Sequence, residues 1–157
     1  MDEIHQKTST SVTRYVLVVL AVKTLIAVSF GAFLYLTEYD MPNISSPVNI
    51  VAVGLALLWY SKVVNEPMAI SEILWFASGV ALVDLALSFL WLILLTWMSG
   101  QPLTLNGAEL AVFGKAGTLT NRADQIVILS LIMFSVLMTF GLAAFFAWLM
   151  TKKLPKK

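Results

Sequence analysis

Four long apolar runs separated by short polar stretches dominate the chain, at residues 15–36, 47–64, 70–97 and 126–150. A helix needs about 20 mostly apolar residues to cross a hydrocarbon core about 30 Å thick, and each run meets that length within tolerance. Charged residues lie between and beyond the runs, as a chain that faces lipid requires. The pattern predicts an all-α membrane protein, a bundle of four transmembrane helices occupying 15–150. A polar tail (1–14) precedes the bundle and a basic tail (151–157) follows it. The first run is too long for the apolar region of a signal peptide, and it ends in LTEYD without a small-residue cleavage site. It reads as a retained helix.

Orientation follows from the cations, because Lys and Arg in short loops favour the cytoplasm. Lys7 and Arg14 precede the first helix, Lys62 lies between the second and third, and Lys152, Lys153, Lys156 and Lys157 close the chain. An up-down-up-down path puts all of these on one side. The other side receives Lys115 and Arg122, both in the third connector, and a first connector with Glu38 and Asp40. Both termini are therefore predicted to be cytoplasmic. Aromatic residues mark the two interfaces, with Tyr15, Trp59, Tyr60, Trp75 and Trp148 inside and Tyr35, Tyr39 and Trp97 outside.

Local signals agree with these limits. Ser46 before Pro47 suits an N-cap and first-turn proline for the second helix, and Pro67 predicts that this helix stops near Asn65. The third connector, 98–125, is too long for a tight turn. It holds two readings. In one it is a flexible external loop interrupted by Gly107, Gly114 and Gly117; in the other, Asn106 and Glu109 cap a short interfacial helix over 107–113.

Composition reinforces the class. Hydrophobic residues make up 59% of the 157, well above the roughly 45–50% of a soluble domain. The net charge of +1 gives no reason to invoke nucleic acid, and the absence of cysteine excludes disulfide frameworks and thiol chemistry. No motif points to a metal, a cofactor or a catalytic residue. His5 stands alone in the polar tail, and Asn43-Ile-Ser45 matches a glycosylation sequon of low specificity beside the bilayer.

Two ionisable residues fall inside the spans, Lys23 in the first and Asp84 in the third. Charges at such positions are functional hypotheses by default. Both helices run the same way, and at 1.5 Å per residue Lys23 lies about 12 Å beyond Tyr15 and Asp84 about 16 Å beyond Ile73. Their depths match, so an intramembrane pair offsets much of the cost of burying either charge. Three readings remain: a pair fixing helix register, Lys23 snorkelling while Asp84 is protonated, or a proton or ion relay extended by Ser88. A second pattern lies in the fourth span, where Ser135, Thr139, Ala143 and Ala147 form a face of small side chains at four-residue spacing. Such faces bring helices close, either within one bundle or between copies. Ala27 and Gly31 continue the face of Lys23 in the same way.

Arg14-Tyr15 opening the first helix, Asn49-Ile-Val-Ala entering the second, and Pro67 followed by Ser71-Glu72 before the third resemble an uncharacterised family of small four-pass bacterial inner-membrane proteins. The resemblance covers residues 14–97 and leaves the long third connector without a counterpart. It implies a bacterial inner membrane and supplies no catalytic residues.

The expected function is a non-enzymatic membrane interaction protein that acts on a partner through loops or tails. Its partners are the lipid bilayer and either further copies of the chain or another membrane protein. Membrane-bound immunity proteins and membrane components of phage defence share this style, an analogy at the level of the fold. The alternative is a small channel or proton-coupled transporter built on Lys23 and Asp84. An enzyme is not expected, because the chain offers isolated charges and no cluster of acid, base and nucleophile.

Overall fold

The computed structural model describes residues 2–37, 45–64, 66–115, 117 and 122–152. The first connector, with Glu38, Tyr39, Asp40 and Asn43, and the basic residues after Lys152 lie outside the described residues. So do the side chains of His5, Lys7, Gly31, Tyr35 and Ser46.

Among the described residues the chain is helical and contains no strand: α1 Asp2–Thr37, α2 Ser45–Val63, α3 Ile70–Met98, α4 Leu105–Phe113 and α5 Arg122–Thr151. Val12–Ser29 within α1, all of α3, and Gln125–Thr151 within α5 are long and apolar enough to cross a membrane, and Val48–Val63 is a shorter apolar helix. These helices present large apolar side chains outward, including Leu25, Val28, Leu82, Trp91, Phe134 and Leu137. That surface suits lipid, whereas water tolerates only limited apolar patches. The polar segment 2–14 is helical and continuous with the first span.

The helices cluster into two compact units, and α3 and α5 each contribute to both: one comprises residues 1–83 and 139–157, the other 84–138. In the first unit, α1 packs on α2. Its core draws Val12, Tyr15 and Val19 from α1, Ala52, Val53, Ala56, Leu57 and Tyr60 from α2, Phe76, Ala77 and Val80 from α3, and Ala143 and Ala147 from α5. Spacings of three and four put each set on one helical face. Ala52 and Ala56, like Ala143 and Ala147, are small residues one turn apart, which lets neighbouring backbones approach. Tyr15 meets Tyr60 edge-on at 5.0 Å and Trp59 at 5.8 Å, closing one end of the α1–α2 contact. Near the end of α5, Lys152 Nζ lies 4.5 Å from the Trp148 ring centre, an arrangement that favours the cation.

Each helix end has its own chemistry. The Glu72 carboxylate accepts the Ala69 N–H at 2.8 Å, satisfying a donor that the helix leaves free and placing negative charge at the positive end of α3. At the far end of α3, Gly100 N–H reaches Trp97 O and Gln101 N–H reaches Thr96 O, with Gly100 left-handed at φ 69°. This is a Schellman stop, which glycine enters without steric cost. Buried hydroxyls turn back on their own helices: Thr96 Oγ1 donates to Leu92 O and Thr151 Oγ1 to Ala147 O, so neither enters the apolar interior unsatisfied.

Candidate functional site

In the second unit the structure resolves the third connector in favour of a helix, with one correction. α4 spans Leu105–Phe113 and its N-cap is Thr104, not Asn106: Thr104 Oγ1 accepts the Gly107 N–H at 3.2 Å. Thr104 sits in extended backbone, as capping requires, while Asn106 already lies inside the first turn and is exposed. Glu109 holds the chain beyond the other end of the helix. It is 2% exposed, and its Oε2 accepts the Gly117 N–H at 2.6 Å. The carboxylate thus fastens the chain that leaves α4. The helix ends at Gly114, left-handed at φ 66°, whose N–H closes on Leu110 O. Thr104→Ala is expected to weaken α4 by about 1 kcal/mol. Amide exchange across 105–113 then accelerates about five-fold, with α3 and α5 unchanged, when followed by hydrogen–deuterium exchange in micelles.

A cleft of about 180 Å³ lies in the same unit, lined by Asp84, Leu85, Ser88, Phe89 and Leu92 of α3 and by Ile132, Ser135 and Val136 of α5. Asp84 stands midway along α3 (Ile70–Met98), about 21 Å from either end at 1.5 Å per residue. Ser135 stands near the middle of α5 (Arg122–Thr151). Helix geometry explains the grouping on α3: residues 84, 85, 88 and 92 recur at spacings that keep them on one face. Ser88 Oγ donates to the Asp84 main-chain carbonyl at 2.8 Å, leaving the hydroxyl's lone pairs to the cleft. Asp84, Ser88 and Ser135 therefore line a largely apolar cleft near the helix midpoints.

The other residues singled out from sequence fall as follows. Lys23 is buried, at 3% exposed, one turn beyond Val19 on the inward face of α1 in the first unit, while Asp84 belongs to the second. Ala27, one turn further, is exposed. The small-residue face of α5 divides. Thr139, Ala143 and Ala147 are buried in the first unit, with both alanines in its core, whereas Ser135 is exposed and lines the cleft. Thr151, one more turn along and buried, extends that face beyond the residues expected from sequence.

Sequence reasoning also passed over the paired alanines of α2 and, having named Glu109 as a cap, its burial. The first pair, Ala52 and Ala56, carries the same four-residue spacing as the α5 face and was legible by the same rule. Glu109 gave no such signal, since its partner is a backbone N–H eight residues away.

Comparison of the chain with protein-family models, with curated proteins and with solved structures gives no match.

Proposed function

We propose that the chain is a four-pass, non-enzymatic interaction protein of a bacterial inner membrane, with both termini cytoplasmic, which receives a side chain from one helix of a membrane-protein partner in the α3/α5 cleft. The fourth crossing in this reading is α2: its apolar stretch Val48–Val63 covers about 24 Å at 1.5 Å per residue, a few Å short of the hydrocarbon core, a mismatch that local thinning of the bilayer accommodates. The orientation rests on the cations gathered on one side of the spans.

One observation carries the interaction role: the cleft sets Asp84, Ser88 and Ser135 at the helix midpoints among apolar walls. Within lipid, a partner helix gains most from packing against small side chains and from hydrogen bonds made where water is absent. The fitting partner is a helix with a small face and a hydroxyl or amide side chain at mid-depth, where it meets Ser88 and Ser135. A second copy fits less well, because a symmetric contact through this cleft brings two Asp84 carboxylates together.

The test places a photo-crosslinking residue at Phe89, an exposed wall of the cleft, in native membranes. A single adduct of defined mass is expected, lost when Ser135→Trp fills the cleft. An adduct of twice the chain's mass identifies the occupant as a second copy, and monomer alone under all conditions overturns the reading.

The second reading, a small channel or proton-coupled transporter, draws on Lys23 buried in α1 and Asp84 on the cleft wall. Under it, Asp84→Asn reduces proton or cation flux in proteoliposomes to background while the fold persists. Unchanged flux with lowered stability assigns the two charges a structural role.

A further inference from the structure

α4 distributes its side chains in the reverse of the order expected for a helix in water. Leu105, Leu110, Val112 and Phe113 are exposed, and Leu103 just before the cap is 65% exposed. Gly107 is buried and Ala108 and Ala111 are partly buried. At 100° per residue the small residues 107, 108 and 111 share one arc, and 112, 105, 113 and 110 sweep the opposite one. Leu105, Glu109 and Phe113 follow one another at four-residue spacing along that outer arc. A carboxylate there should project between two large apolar side chains. Instead it is 2% exposed and bound to the Gly117 N–H, so the charge that would otherwise interrupt the apolar surface is withdrawn from it.

We infer that α4 is an in-plane membrane anchor. Its outer arc lies in the boundary between headgroups and acyl chains at the surface where α3 ends, and Glu109 is held by Gly117 to keep that arc free of charge. The occupant is lipid, by continuity: the exposed apolar surface of α3 runs to Trp97 and Met98 at its last turn, and Leu105 follows within at most about 25 Å of extended chain. Tryptophan at a span's end marks headgroup depth. A short helix with one arc of large apolar side chains, tied to a neighbouring span, is placed to lie in that layer. Lys115, exposed just past the C-cap, is positioned to reach headgroup phosphates. The inference rests on α3 being a membrane span.

The absence of cysteine makes the test direct. Single cysteines at Phe113, Lys115 and Leu82, all exposed, are labelled with an environment-sensitive fluorophore in liposomes. Quenching is then measured with iodide in the water and with nitroxides attached near the lipid carbonyls or deep in the acyl chains. At Phe113, carbonyl-level nitroxide is expected to quench several-fold more than iodide; at Lys115 the order reverses. Leu82, midway along α3, responds to the deep nitroxide and reports the span itself. Iodide quenching at Phe113 with Leu82 still deep overturns the anchor alone, and iodide quenching at both sites overturns the span as well. Protection at Phe113 that appears only at high protein-to-lipid ratio identifies a second copy as the occupant and likewise overturns the lipid assignment. Glu109→Ala, which removes the charge together with its clasp, is expected to keep Phe113 protected from iodide and Leu82 unchanged; a rise in iodide quenching at Phe113 in this variant overturns the role given to the clasp.

Discussion

Gly79→Leu is expected to prevent the first unit from packing, and Gly79→Ala to destabilise it by about 1–3 kcal/mol, the usual cost of overfilling a tight core. A β-carbon built on Gly79 falls 2.6 Å from Cγ2 and 3.0 Å from Cγ1 of Val16, so α1 and α3 touch through a glycine facing a branched side chain. Valine in a helix has essentially one χ1 rotamer, and turning it away is costly. The helices must separate instead, and the core that Phe76, Ala77 and Val80 share with Val12, Tyr15 and Val19 opens with them. The measurement is the midpoint of unfolding in a denaturing-detergent titration, read from tryptophan fluorescence. Val16→Ala in the Gly79→Ala background should recover most of the loss, because it removes both branches that the new methyl meets. A double variant no more stable than Gly79→Ala shows that the cost arises elsewhere than at this contact.

The same contact shows what the amino-acid sequence discloses and what it withholds. Apolar runs at 15–36, 47–64, 70–97 and 126–150 match the helices 2–37, 45–63, 70–98 and 122–151 to within a few residues at most ends, because hydropathy and helix length are properties of a segment by itself. The exception is the start of α1, where the polar segment 2–14 carries no hydropathy signal and is nonetheless helical. That Gly79 faces Val16 depends on how two segments rotate about their axes, and a span apolar all round gives no moment from which to read that rotation. Ser135 and Thr139 look alike in a four-residue repeat, yet one lines a cleft and the other is buried, since burial is decided by the neighbouring helix. The third connector was legible as an alternative between loop and helix. Its cap was misplaced by two residues because Asn and Thr both suit an N-cap, and the backbone conformation that selects between them comes from the turn at Pro102–Thr104.

That turn makes Gly107→Ala the more severe of the changes to α4. The Thr104 N–H closes on Pro102 O at 2.7 Å, and the same carbonyl lies against Gly107, where a β-carbon overlaps it inside van der Waals contact. A main-chain carbonyl has no rotamer to yield, so either the turn opens or the first turn of the helix shifts. Both responses break the Gly107 N–H to Thr104 Oγ1 bond, adding the loss of a cap, about 1 kcal/mol, to an overpacking cost of about 1–3 kcal/mol. A helix of nine residues has little intrinsic stability to absorb that loss. Gly107→Ala is therefore expected to abolish exchange protection across 105–113, where Thr104→Ala only accelerates exchange. Gly114→Ala, which forces a side chain into a left-handed position at the cost of about 1 kcal/mol, falls near the milder case. Because the Glu109–Gly117 bond depends on the helix that presents Glu109, Gly107→Ala also exposes the carboxylate. A fluorophore at Phe113 should then move from lipid to water. Full protection of 105–113 in the Gly107→Ala variant means that Pro102 O does not lie against the helix, and the account of how this connector is built fails at its first turn.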